Sequence, residues 1–172
     1  TIHSDLWVPV NVGSDAALAL SMCQVIMREK SFKEDFVREQ SDLPLLVVES
    51  TGKYLRESDV KSGGREDVFY FWDQSAGKLT EAPKKNLTLN GAVPALEGSY
   101  QVQSLKGSIA VKPVMEVLCA HLDKNFTPEQ ASQITGVSPR LIEQLAREIA
   151  AAKGVVNIST ANWGKFYHGD LI

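Results

Sequence analysis

The stretch DAALALSMCQVIM, residues 15–27, leaves almost no polar face when it is wound into a helix. Ala16 to Leu20, Met22, Cys23 and Val25 to Met27 take up most positions around its axis. Such a helix has to be covered on more than one side, so the chain needs a layered fold and not a single sheet with a solvated helix. The helix is entered from Leu6-Trp7-Val8-Pro9-Val10, which reads as a short strand with Pro9 at a sheet edge or near the strand's end. Asn11-Val12-Gly13 makes the turn, Ser14 stands where it can cap the helix, and Asp15 lies in the first turn, where a carboxylate suits the helix dipole. Near the other end, Gly154 leads into Val155-Val156-Asn157-Ile158-Ser159, an apolar run of the kind found in buried parallel strands. Strand, buried helix, further helices and strand again predict an α/β fold: a three-layer, Rossmann-like domain over residues 1–172. Its parallel sheet is expected to contain residues 6–10 and 155–159, with the helix at 15–28 packed against it.

The middle of the chain has a different period. Val68-Phe69-Tyr70-Phe71-Trp72 is dense in aromatic and β-branched residues, and Asp73 to Gly77 supplies a turn. Leu87-Thr88-Leu89, Tyr100-Gln101-Val102 and Ile109-Ala110-Val111 follow, separated by Asn90-Gly91, Gly98 and Lys106-Gly107. Residues 67–112 are therefore expected to form a small antiparallel β insert. Leu45-Leu46-Val47-Val48 fits either a strand or the end of a helical turn. A short helix is expected over Lys33 to Glu39. Another is expected over Pro113 to Leu122, with Val114, Val117, Leu118, His121 and Leu122 on one face. Thr127-Pro128-Glu129-Gln130 carries a cap, a first-position proline and a capping-box partner, and Gly136 closes that helix. Ser138-Pro139 opens the next, with Leu141, Ile142, Leu145, Ala146, Ile149 and Ala150 at helical spacing.

Charge narrows the functional classes. The net charge is -3 over 172 residues, with both signs interspersed, which argues against a nucleic-acid surface. Cys23 and Cys119 lie far apart in apolar helical patterns and read as reduced core thiols. No Cys-x-x-Cys occurs, and His3, His121 and His168 lack metal-ligand spacing. No span is long and apolar enough to enter a bilayer, and no signal peptide is evident. Strand-like sequence at one end and a resuming apolar pattern at Leu171-Ile172 give both termini the look of cuts in a longer polypeptide.

Two segments are candidate sites. Gly13, Ser14 and Asp15 lie between strand and helix, where backbone N–H groups and the positive end of the helix dipole are presented. Gly13 lets a ligand approach the backbone, and Ser14 and Asp15 offer a donor and an acceptor for a purine edge or a ribose hydroxyl. The plain alternative is a glycine turn followed by a serine cap. The three-glycine pyrophosphate fingerprint is absent, which disfavours a nicotinamide-dependent dehydrogenase. The second segment is Asn162-Trp163-Gly164-Lys165-Phe166-Tyr167-His168-Gly169, just past the expected strand 155–159. Ligands gather at that end of an open α/β sheet. Lys165 can face a phosphate, and His168 can donate to one or cap the next helix. The charged stretch from Arg56 to Asp67 reads as a solvated loop, and the aromatics Phe69 to Trp72 as strand core.

Three pieces of sequence resemble one family. SDLWVPVNVGSDAALALSMCQVIMREKSFKEDFVREQSDLPLLV is similar to a segment in which a strand enters an Ala/Leu-rich helix through a Pro-Gly-Thr-Asp turn. FTPEQASQITGVSPRLIEQLAREIAAA is similar to the helical pair that follows in that family, and NISTANWGKFYHGDLI stands in the place of the next strand and cofactor loop. The family is the dimethyl sulfoxide reductase superfamily of molybdopterin oxidoreductases. Residues 50–112 match it only loosely. DFVREQSDLPLLV and Tyr167-His168 look most like the respiratory nitrate reductase branch, whose alpha subunits this chain then resembles as an internal fragment.

The resemblance implies a domain that contacts one guanine dinucleotide of a bis(molybdopterin guanine dinucleotide) cofactor carrying molybdenum in the intact parent. Cofactor contacts carry over to Gly13, Ser14 and Asp15, and more loosely to Asn162, Trp163, Gly164, Lys165 and His168. The chain departs from the family pattern at Val12 and Ser14, and Ser14 keeps a hydroxyl. No catalytic residue and no metal ligand carries over, so the fragment by itself is expected to be inactive and to bind no cofactor. The resemblance further implies an iron–sulfur cluster elsewhere in the parent, an iron–sulfur electron-transfer subunit as partner, the rest of the catalytic subunit around this segment, and a small-molecule substrate. No nucleic acid and no direct membrane insertion are implied, and the compartment, cytoplasmic or exported, stays open. Alternatives are another oxyanion reductase, a formate or sulfur-compound oxidoreductase of the same superfamily, or a metal-free binding module that kept the fold.

Overall fold

The computed structural model describes residues 6–83 and 88–153. Along them run helices α1 (Asp15–Arg28), α2 (Glu34–Gln40) and α3 (Glu57–Val60), with β1 (Leu46–Val48) between the last two. Strands β2 (Tyr70–Asp73), β3 (Lys78–Glu81), β4 (Tyr100–Ser104) and β5 (Gly107–Pro113) follow. Helices α4 (Val114–Asn125), α5 (Pro128–Thr135) and α6 (Pro139–Ala151) come last. The chain forms two compact units, one from residues 1–32 and 121–172 and one from residues 33–120.

The first unit is helical in its described part. The segment 6–10 is extended and alternates, with Leu6, Val8 and Val10 half-buried and Trp7 and Pro9 exposed. It is not a strand of any described sheet. Val8 and Val10 pack with Leu18, Met22 and Leu141 on a buried cluster of Ala131, Val137 and Ile142. The period-two pattern is real, but helices and not neighbouring strands cover it. The other strand expected in a parallel sheet, 155–159, lies outside the described residues. Every described strand pair is antiparallel, so the expected parallel three-layer sheet gives way to a mixed helix and antiparallel-sheet fold.

On α1, Ala17, Ser21, Gln24 and Val25 are buried, a spacing of four, three and one that keeps them on one face. Ala16, Ala19, Ile26 and Met27 on the other side, and Leu20 at the margin of the buried face, are only half-buried, and Cys23 is exposed as a residue. The helix expected to be covered all round is thus covered on one face among the described residues. Both cysteines are free, but Cys23 is not a core thiol, although apolar neighbours raise its thiol above the ordinary range. The inner face carries polar groups too: Gln24 Nε2 donates to Asp123 Oδ1 over 2.7 Å, at the end of α4. Helix α5 opens as expected. Gln130 N donates to Thr127 Oγ1, Thr127 N donates to Gln130 Oε1, Pro128 holds the first position, and Gly136 closes the helix at φ +75°. Helix α6 buries Ile142 and Ala146. At its outer edge, Arg147 grips Glu29 from Nε and Nη2, at 3.0 and 2.7 Å to Oε1.

The second unit holds the strands. β5 lies between β1 and β4 in a three-stranded antiparallel sheet, with Val48 opposite Val111 and Tyr100 opposite Val111 on its other side. β2 and β3 form a separate hairpin, Tyr70 opposite Glu81. Leu46, Val48, Leu55, Tyr70, Val102 and Val111 make the core, and Trp72 stacks on Tyr100 at 4.6 Å. The aromatic run is therefore core, as its composition implied. β2 to β5 lie within residues 70–113, but β1, from outside that stretch, joins the sheet of β4 and β5, β3 falls where no strand was expected, and Thr88-Leu89 of the expected run is in no strand. The compact unit also begins earlier and takes in α2. The charged stretch, read as a solvated loop, contains helix α3 and is only partly exposed; Glu57 meets Lys61 at 3.0 Å and Arg65 at 3.5 Å, and Arg56 meets Glu66 at 3.3 Å.

Candidate cofactor-binding site

The turn into α1 is built around Asn11. Its carbonyl accepts Ser14 N at 3.1 Å and Ser14 Oγ at 2.6 Å. The backbone bond closes a four-residue turn in which Gly13 is the third residue at φ +82°, a value that favours glycine. A Cβ built on Gly13 would meet nothing within 4 Å, so the turn faces open space. Ser14 is buried and occupies the N-cap position, yet its hydroxyl points back to Asn11 and makes no cap bond. The sequence-based expectation of a serine cap is corrected here: the Asn11 carbonyl competes for the hydroxyl and takes it.

That choice leaves the helix end open. The first intrahelical bond is Leu18 N to Ser14 O, so the N–H groups of Asp15, Ala16 and Ala17 have no acceptor among the described residues. Asp15 is half-buried, and no hydrogen bond or ion pair joins its carboxylate to a described residue. Three free donors, a helix dipole, a carboxylate acceptor and a glycine that admits a close neighbour form one edge. Such an edge can take a ligand that has both acceptors and donors, which is the character of a guanine, with its N–H edge, or of a ribose, with its hydroxyls. The donor set therefore fits the nucleotide end of the cofactor.

Of the predicted site residues, the structure brings Gly13, Ser14 and Asp15 together. Asn162, Trp163, Gly164, Lys165 and His168 lie outside the described residues. The residue missed in the sequence is Asn11, which donates from Nδ2 to Ile134 O and from its backbone N to Thr135 O, both at 2.9 Å. Nothing local to Asn11 could have signalled partners more than a hundred residues away. Among the described residues no group of three His, Cys, Asp or Glu side chains is placed to hold a metal ion, and no helix is long and apolar enough to cross a membrane.

No family model matches the chain. Its sequence is 40% identical over 175 residues to the chlorate reductase subunit alpha of Ideonella dechloratans and 39% identical over 175 residues to the dimethylsulfide dehydrogenase subunit alpha of Rhodovulum sulfidophilum. The chain belongs to the dimethyl sulfoxide reductase family of molybdenum oxidoreductases. Each of these alignments covers 98% of the chain and 19% of the relative, so the chain spans about a fifth of the alpha subunits it matches. The respiratory nitrate reductase subunit alpha of Haloferax mediterranei is 34% identical over 186 residues, below the other two. The nitrate reductase branch of the family is thus not singled out, which corrects the reading based on residues 35–47 and Tyr167-His168.

Proposed function

We propose that this chain is the part of a molybdenum oxidoreductase alpha subunit that grips the guanosine end of one molybdopterin guanine dinucleotide. One observation carries the reading. In a segment 34–40% identical to alpha subunits of the family, the helix after the Gly13 turn is uncapped and Asp15 stands beside it without a partner among the described residues. When bound, the bis(molybdopterin guanine dinucleotide) cofactor supplies two-electron chemistry at molybdenum. This chain's own residues do the holding. Asp15 accepts from the N–H edge of the base, the free backbone N–H groups of α1 meet an oxygen acceptor, and Gly13 keeps the approach clear. Lys165, with Asn162, Trp163, Gly164 and His168, belongs on the same cofactor nearer the phosphates.

The parent enzyme would reduce or oxidise a small molecule, an oxyanion or a sulfur compound, with an iron–sulfur cluster elsewhere in the alpha subunit and an iron–sulfur subunit as its electron partner. In the intact subunit the extended segment 6–10 would join a parallel sheet of a dinucleotide-binding domain that carries the antiparallel strands as an insert. What supports this is that segment 6–10 is extended and belongs to no sheet among the described residues. The test is Asp15→Ala in the full-length alpha subunit, read as molybdenum and released guanine nucleotide per subunit. Reduced cofactor content with retained fold is expected, and Asp15→Asn should be intermediate. Full occupancy in Asp15→Ala would remove this residue from the site. Wild-type subunit free of nucleotide after production with an active cofactor pathway would point to a metal-free module.

A further inference from the structure

We infer that Asn11 is the positioning residue of this site: it latches the Gly13–Asp15 turn to the C-terminal end of α5. The inference rests on the reading that the turn holds the nucleotide. A helix end leaves its last carbonyls without intrahelical donors. Gly136 N satisfies Ser132 O at 2.9 Å as α5 closes in the left-handed conformation. The carbonyls of Ile134 and Thr135, two and three residues further on, are met by Asn11 alone among the described residues, through Nδ2 and the backbone N, each at 2.9 Å. The same residue's carbonyl then receives both polar groups of Ser14. Asn11 is therefore bonded forward to the turn and across to α5, and no other described residue of the turn reaches α5 through a hydrogen bond.

Gly136 reports the same arrangement from the other side. A Cβ on it would lie 3.3 Å from Asn11 Oδ1 and 3.4 Å from Nδ2, tighter than ordinary contact, so the amide of Asn11 lies directly against the helix-closing glycine. A latch of this kind sets where the free N–H groups of α1 and the Asp15 carboxylate stand. It does so without touching the ligand, so its loss should loosen the site while the helices remain. Ser14 is held in the same way: its hydroxyl stays on Asn11 and off the helix end, which keeps those N–H groups open for a ligand.

The experiment compares wild-type, Asn11→Ala, Asn11→Asp and Asp15→Ala full-length alpha subunits. The readouts are molybdenum and guanine nucleotide per folded subunit, the rate of nucleotide loss during dilution, and Tm. Asn11→Asp is near isosteric but replaces the donor facing Ile134 O with an acceptor. Both Asn11 variants are expected to lose nucleotide on the order of fivefold faster than wild type, the worth of about one exposed hydrogen bond. Asn11→Asp should be the worse of the two, with secondary structure unchanged. A purely structural helix cap predicts a lower Tm with wild-type nucleotide content and off-rate in the folded fraction, and that result overturns the latch. Loss in Asp15→Ala but not in the Asn11 variants also overturns the latch and leaves the site reading standing. Wild-type retention in all three variants overturns both. If Asn11→Ala fails to fold, Asn11→Gln, which keeps the amide one methylene further out, decides on the same off-rate.

Discussion

Asp73 shows how one side chain can organise a turn beside the backbone bonds that close it, Gly77 N to Asp73 O and Gln74 N to Val93 O. It is buried at the end of β2, where its Oδ1 accepts Ser75 N at 2.9 Å, Ser75 Oγ at 2.6 Å and Val93 N at 3.1 Å. These bonds, led by the Ser75 hydroxyl, hold its carboxyl below the usual carboxylate range. A carboxyl depressed in the folded state contributes stability above its unfolded value and loses it as the pH falls through the lower, folded value. The contribution should therefore be intact at neutral pH, begin to fall near about pH 4, and be gone below the folded value. Thermal melts of the chain from about pH 7 to about pH 3 should show a steeper acid loss in wild type than in Asp73→Asn, which keeps an acceptor but cannot titrate. Parallel pH profiles for the two would mean that the carboxyl is not held in this way. Asn11 makes the opposite point at the same scale. Asp73 sits two residues from one of its partners, and its turn was legible. Asn11 binds across 123 residues and was read only as part of a glycine turn.

At the scale of elements, what could be read in advance follows from where each signal lies. The capping box of α5 is local: cap, proline, glutamine and closing glycine all stand within ten residues, and the helix forms where they place it. Thr127→Ala should cost about 1 kcal/mol, the usual worth of an N-cap oxygen, measured as the change in urea unfolding free energy. A change near zero would show that Pro128 and tertiary packing alone set the helix start. The strands β2, β4 and β5 were legible for a similar reason, since their turns carry glycine at positive φ, as at Gly77 and Gly107. Segment 6–10 was misread because alternation records which side chains are covered and not what covers them. Val8 and Val10 meet α1, α5 and α6 side chains where a neighbouring sheet was expected. The face predicted for α4 holds only in part: Leu122 is buried as expected, but Val117 is 43% exposed and His121 is exposed, while Met115, outside that face, is buried. Helical period identified the element but not its orientation.

For the whole molecule the decisive quantity is how much apolar surface the fold leaves uncovered. On α1, Ala16, Ala19, Ile26 and Met27, with Leu20 at the margin, are half-buried and Cys23 is exposed, while the opposite face carries the packing onto α5 and α6. Trp7 and Val12 are 70% and 98% exposed, and Ile134 is 49% exposed. A soluble monomer seldom carries contiguous apolar surface of this kind without covering it. The chain spans about a fifth of the alpha subunits it matches, so the remaining polypeptide is the natural cover. One substitution should then act with opposite signs in two settings. In the isolated chain, Leu20→Glu places a charge at the margin of the open face of α1, where Leu20 is only half-buried, and should suppress self-association, because glutamate is a good helix former. In the full-length alpha subunit the same charge would be trapped without a partner and should reduce the yield of folded, cofactor-loaded protein. Light scattering of the isolated chain, with and without Leu20→Glu, reads the first effect, and soluble yield with nucleotide content reads the second. An isolated wild-type chain that stays strictly monomeric with a high Tm, together with a full-length Leu20→Glu subunit that loads normally, would show that this face of α1 is solvent-exposed in the intact protein as well.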